Sequence, residues 1–202
     1  MESVSVHTKG ERLCEENFAK IIQGNANGRF LVKLPVKDNH GGLGESVNNA
    51  TRCSQRLERR LQRQPALRAQ YVSFMRAYKG LSHMELVTTN MENCTYYMSH
   101  HAVLKEPSST AELRLFFNAP AKTSSNSSLN DILMFGPTVQ DDLYSIVLWF
   151  QTHKYACIAD LTKMCRQIEV GKVDKDLQRI LWRESPNEPI KAYRLTTVTT
   201  RR

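Results

Sequence analysis

Tyr96-Tyr97-Met98-Ser99-His100-His101-Ala102-Val103-Leu104, then Glu106-Pro107-Ser108-Ser109-Thr110, then Leu113-Arg114-Leu115-Phe116-Phe117-Asn118, is the stretch that decides the fold. Aromatic and β-branched residues make the first run extended from Cys94 onward, and the last run reads as a second strand. Between them, Pro107 and three hydroxyl residues form a turn. The two runs make a hairpin with Lys105 at its tip and Arg114 on the return strand. Adjacent residues of a strand face opposite ways, so His100 and His101 do not share a metal.

Towards the N-terminus the pattern is helical. Residues 46–64 form a helix with Val47, Ala50, Leu57 and Leu61 near one face, and Pro65 ends it. A second helix over 66–80 turns Leu67, Tyr71, Phe74, Met75 and Tyr78 inward. The pair carries Arg52, Arg56, Arg59, Arg60, Arg63, Arg68 and Arg76, opposed mainly by Glu58. That charge reads either as a solvated helix face or as a phosphate-contacting surface. Residues 84–87 form a short strand. Further upstream, 29–36 alternates as a strand with Phe30, Val32 and Leu34 on one side, and Gly41-Gly42-Leu43-Gly44 breaks it. Residues 1–28 are a loose lead-in with a short helix near 11–22.

Beyond the hairpin, 119–130 is Ser/Asn/Pro-rich loop. Residues 139–152 form a helix with Leu143, Ile146, Val147 and Phe150 on one face, and Asp141 and Asp142 in its first turn, where the helix dipole favours them. Tyr155-Ala156-Cys157-Ile158-Ala159 reads as a buried strand ending at Asp160, with Cys157 in the core. Residues 178–183 and 193–198 are two more strands, joined through Ser185-Pro186-Asn187-Glu188-Pro189.

With 202 residues, of which 41% are hydrophobic, the chain can build a real core. Its 28 Lys and Arg against 20 Asp and Glu give +8, with a sequence pI near 9.4. This favours a polyanionic partner, nucleic acid before an anionic membrane. The first residues lack a basic head followed by an apolar run, and no apolar stretch approaches the ~20 residues of a membrane span. An intracellular, cytoplasmic location is expected. The scattered Cys14, Cys53, Cys94, Cys157 and Cys165 are then free thiols. Asn-x-Ser/Thr matches at Asn49, Asn93 and Asn126 carry no meaning without secretion.

The motif inventory excludes several chemistries. There is no CxxC, HExxH or Cys/His knuckle, no Asp-Ser/Thr-Gly, no G-x-S-x-G and no P-loop. The informative residue is Asp160. An acid at the end of an apolar strand is held rigidly at an exposed edge, where it either binds a ligand or metal or caps the next element.

Several segments, taken in order, resemble the polyprotein of BEL/Pao-type LTR retrotransposons around the start of reverse transcriptase. Leu34-Pro35, Leu43-Gly44-Glu45-Ser46, Leu57-Glu58-Arg59-Arg60-Leu61 and His83-Met84-Glu85 resemble the segment before the polymerase. Tyr96 to Lys105 resembles the opening of the fingers, and Leu113 to Ala119 the next fingers strand. Ser128-Leu129-Asn130-Asp131, Gly136-Pro137 and Gln140-Asp141-Asp142-Leu143 follow in family order. Ala159-Asp160-Leu161-Thr162-Lys163-Met164 resembles the first catalytic motif of the palm. Residues 178–182 and 193–199 continue the pattern, and the resemblance spans 29–199.

The resemblance implies an α+β fold of reverse-transcriptase fingers and partial palm with an N-terminal helical segment. It divides the chain into a lead-in (1–28), a pre-polymerase strand and Arg-rich helix pair (29–93), fingers (94–154) and partial palm (155–202). Asp160 would be the catalytic carboxylate, and with the Leu161 carbonyl would bind Mg2+ or Mn2+. Lys105 and Arg114 would neutralise nucleotide phosphates, and Cys165 would stand where relatives carry a bulky aromatic that blocks a ribose 2′-hydroxyl. Independently of the resemblance, the charge of the helix pair makes Arg52, Arg56, Arg59, Arg60 and Arg63 the candidate nucleic-acid contacts. Partners would be an RNA or DNA template–primer and a deoxynucleoside triphosphate, with no membrane. The pattern is broken at Asn118, where relatives carry Asp, at Pro120, where they carry Ser, and at Cys165. The later paired-Asp motif is not among the 202 residues, so the chain alone is expected to be inactive as a polymerase. Two other readings stand beside it: a non-catalytic nucleic-acid binder and a decayed transposon remnant.

Overall fold

A computed structural model of the chain describes residues 7–25, 28–37, 42–88, 95–104, 113–155, 157, 159 and 164–199. The Thr8 hydroxyl accepts the Glu11 amide and the Glu11 carboxylate accepts the Thr8 amide, a reciprocal cap that starts α1 (Lys9–Ile21). Short strands β1 (Gln23–Gly24) and β2 (Phe30–Val32) follow. Gln64 alone separates α2 (Val47–Arg63) from α3 (Pro65–Gly80). Pro65 opens α3 at a position where a missing N–H leaves no bond unmade. Then come β3 (Met84–Leu86), β4 (Tyr97–Leu104) and β5 (Leu113–Asn118). Ser128 and Asp131 cap the single turn α4 (Leu129–Ile132). The Asp142 carboxylate accepts the Ser145 amide and starts α5 (Leu143–Thr152). The chain closes with β6 (Ile168–Val170), a 3₁₀ turn at Asp174–Gln178, β7 (Arg179–Trp182) and β8 (Lys191–Leu195).

The result is a mixed α+β chain with two sheets. The larger has the order β3-β8-β7-β4-β5, the smaller β1-β2-β6. β4 pairs antiparallel with β5 in the expected hairpin and parallel with β7 on its other side, Tyr97 opposite Arg179 and Met98 opposite Ile180. α2 packs over β4 and β7, and α3 over β3 and β5. The core between helices and sheet holds Leu57, Leu61, Leu67, Tyr71, Met75, Met98, Ile180 and Trp182. Among the described residues, no helix is long and apolar enough to cross a membrane.

The helix pair and the two hairpin strands lie where the periodicity puts them. The strand expected over 193–198 runs instead over Lys191–Leu195, where it pairs with β7 and β3, and the strand expected over 29–36 is confined to Phe30–Val32. Three further expectations change. Of the apolar run over 155–159 the described residues are Tyr155, Cys157 and Ala159; these lie in no strand and are exposed, so Cys157 is not core. Apolarity alone does not bury a segment, and among the described residues nothing covers this one. The helix expected over 139–152 begins four residues later, because Asp142 caps it and leaves Asp141 outside. Among the described residues its apolar face meets no partner: none of its residues is buried, and Leu143 and Trp149 are 76% and 73% exposed. Finally, Gln178 belongs to a 3₁₀ turn, and the strand begins at Arg179.

Two buried polar links tie the layers. The Tyr71 hydroxyl of α3 bonds His100 Nδ1, and His100 Nε2 bonds the Leu181 carbonyl at 3.0 Å. The carbonyl can only accept, so Nε2 carries the proton and Nδ1 accepts from Tyr71. Near the start of β7, Arg179 bonds Asp176 at 2.9 Å with both side chains 3% exposed, and reaches the Tyr97 hydroxyl at 3.1 Å. Removing either charge strands the other in the core, a loss of about 3–5 kcal/mol.

Burial pushes the His100 pKa down from 6.5 to about 4. Between those values the unfolded chain binds a proton that the folded chain refuses, so stability falls as pH drops through the window. Urea unfolding should show a loss of about 2 kcal/mol from pH 7 to pH 5. A His100→Gln protein, less stable at pH 7, should show little of that slope; an equal slope in both would exclude His100 as its source.

Candidate nucleic-acid interface

The β4–β5 hairpin has two unlike faces because strand side chains alternate. Met98, His100 and Ala102 point into the helix layer and are buried. On the other side, His101 lies opposite Phe116 and Val103 opposite Arg114. The His101 and Phe116 rings stack at 5.9 Å and 17°. His101, Val103, Phe116 and Arg114 are all exposed, so the hairpin offers a flat aromatic pair with a guanidinium one rung along. Such a surface suits a base and its phosphate. Lys105, expected at the tip, lies outside the described residues.

Asp160 and Leu161, expected to hold the cation, also lie outside the described residues. Among the described residues no group of three or more His, Cys, Asp or Glu side chains could hold a metal ion. Cys165 is half-buried in a 3₁₀ turn at Met164–Gln167. The next residue, Arg166, sets its guanidinium over the rings of Phe74 and Tyr78 in α3, at 5.5 and 5.4 Å. The turn is thereby anchored to the helix layer, whereas Arg114 projects from the opposite side of the sheet. The described geometry does not bring these two candidate nucleotide contacts together.

The arginines divide sharply. Arg68 bonds the Glu184 carbonyl, Arg76 pairs with the Glu184 carboxylate at 2.6 Å, and Arg183 grips Glu58 at 2.6 and 2.8 Å. Arg68, Arg76 and Glu184 line an open cleft of about 630 Å3. Their charges are largely matched there, which leaves little field for a ligand. Arg52, Arg56, Arg59, Arg60 and Arg63 are all exposed, and among the described residues none forms an ion pair. Glu58 is the one acid of α2, and Arg183 draws it away from them.

The Phe116 contact was readable in part. Alternation puts it beside Arg114 on one strand, but its partner His101 needs the register, which the length and shape of the intervening turn determine. Neither a protein-family model nor a curated protein matches this sequence.

Thiol labelling checks the placement of the cysteines. Cys157 is exposed, whereas Cys14 is 8% exposed, and burial, with Glu15 adding to it, raises its thiol pKa. Under native conditions a maleimide should modify Cys157 first and Cys14 last among Cys14, Cys53, Cys157 and Cys165. Slow labelling of Cys157 would return it to the core.

Proposed function

We propose that these 202 residues are the fingers and first part of the palm of a BEL/Pao-type retrotransposon reverse transcriptase, an RNA-directed DNA polymerase. The observation that carries the reading is the order of the segments from Leu34-Pro35 to Tyr193–Thr199. Supporting it, the two runs that resemble fingers strands form one hairpin, and Arg114 stands on its solvent face beside a stacked aromatic pair. In this reading Lys105 and Arg114 neutralise the phosphates of the incoming nucleotide. Asp160 and the Leu161 carbonyl would hold Mg2+ or Mn2+, which would supply the charge that nucleotide addition requires.

No Tyr-x-Asp-Asp occurs in the 202 residues. A lone carboxylate holds two divalent ions poorly, so in this reading these 202 residues by themselves do not add nucleotides. Primer extension with Mg2+ or Mn2+ should yield no product; robust incorporation would overturn the assignment of inactivity. The polymerase lineage has its own test: the nucleotide sequence after codon 202 should encode Tyr-x-Asp-Asp in some frame, and its absence counts against the reading.

The unpaired arginines of α2 favour a second reading, in which the chain holds nucleic acid without chemistry. Under it an Asp160→Asn protein binds RNA or DNA as well as the parent, or slightly better for one negative charge fewer.

A further inference from the structure

The arginines of α2 are arranged, not merely numerous. At 3.6 residues per turn, positions 52, 56, 59, 60 and 63 fall within an arc of about 100°. Ala50, Ser54, Leu57 and Leu61, the buried residues of α2, fall on the opposite side. The stripe from Arg52 to Arg63 is about 16 Å long at 1.5 Å per residue. One strand of a duplex carries a phosphate every ~3.4 Å of axis, or about five phosphates over that length. Charge density on the helix therefore matches charge density on a single backbone.

The direction of the stripe matters equally. α2 lies over the sheet face that holds Met98 and His100. The stripe points outward from that layer, whereas Arg114, His101 and Phe116 project from the other side of the sheet. A nucleic acid held by α2 is therefore not the one lying on the hairpin.

We propose that the α2 stripe is a second nucleic-acid contact, a sequence-independent rail for a sugar–phosphate backbone on the face away from the hairpin. It rests on the binding reading alone and not on the polymerase lineage, so failed primer extension leaves it standing. Arginine suits the role because its planar donors meet phosphate oxygens in pairs and its charge is permanent. A rail that contacts phosphates makes affinity follow backbone charge and not sequence.

The test is the salt dependence of binding of the 202-residue chain to a fluorescein-labelled 20-base-pair DNA duplex, followed by anisotropy. An Arg52→Gln/Arg56→Gln/Arg63→Gln protein should bind at least about tenfold more weakly near 0.1 M salt, and its log–log salt slope should flatten by about 2–3. The three side chains are exposed, so far-UV circular dichroism should not change. The matching triple Lys protein should keep the parent slope, because point charges still displace counterions. Arg114→Gln should flatten the slope by about one, additively with the triple change, as two separate surfaces require. A parental slope in the triple Gln protein would overturn the rail. So would release of the duplex by poly-glutamate at equal charge concentration, which would point to an acidic protein instead.

Discussion

His100 is enclosed on every side and bonded at both ring nitrogens, to a helix through Tyr71 and to the central strand through the Leu181 carbonyl. Tyr71 also stacks on Trp182 at 5.2 Å, and Trp182 meets the edge of the His100 ring at 6.0 Å. These contacts impose the architecture. They close only if α3 lies across the sheet and β4 runs beside β7. A one-residue slip of β4 would turn Met98, His100 and Ala102 to solvent together and bring Ser99, His101 and Val103 inside. The register that separates the two faces of the hairpin is thus held by the burial of that whole face, with the two bonds of His100 tying it to α3 and β7.

Charge follows the same economy of placement. Arg179 and Arg183 are held by Asp176 and Glu58, and Arg194 by Glu85. The last two pairs join segments distant in sequence: Glu58 of α2 holds Arg183 just beyond β7, and Glu85 of β3 meets Arg194 of β8. With Glu58 committed to Arg183, the outer arc of α2 is left with five exposed arginines and no acid of its own beside them.

Local pattern made the helices and hairpin legible. The 3.6-residue spacing of Ala50, Leu57 and Leu61, the break at Pro65 and the alternation of Tyr97–Leu104 are properties of short windows. What escaped depends on distant partners. β6 is three residues long and exists because Phe30 to Val32 lie beside it, 138 positions away at Phe30 and Ile168. Residues 155–159 were read as buried from their apolarity, but burial is a property of neighbours. For the same reason the spacing of Leu143, Ile146, Val147 and Phe150 gives the helix α5 and says nothing of its exposure. Of the candidate site, the arginine spacing of α2 was legible and its freedom from ion pairs was not, since Glu58 could have paired locally and instead joins Arg183.

The parallel pairing of β4 with β7 sets the order in which this sheet can assemble. On the ribosome, both helices and the β4–β5 hairpin emerge well before Arg179–Trp182. Until then β4 has one partner and an open edge, and His100 waits for the Leu181 carbonyl. Some sixty residues, from the end of β5 at Asn118 to the start of β7 at Arg179, must be made first. Closing so distant a pairing is slow, because chain entropy is lost before contacts compensate. The nascent chain therefore carries an unpaired strand edge through much of its synthesis, the condition in which chaperone capture and intermolecular strand exchange compete with folding.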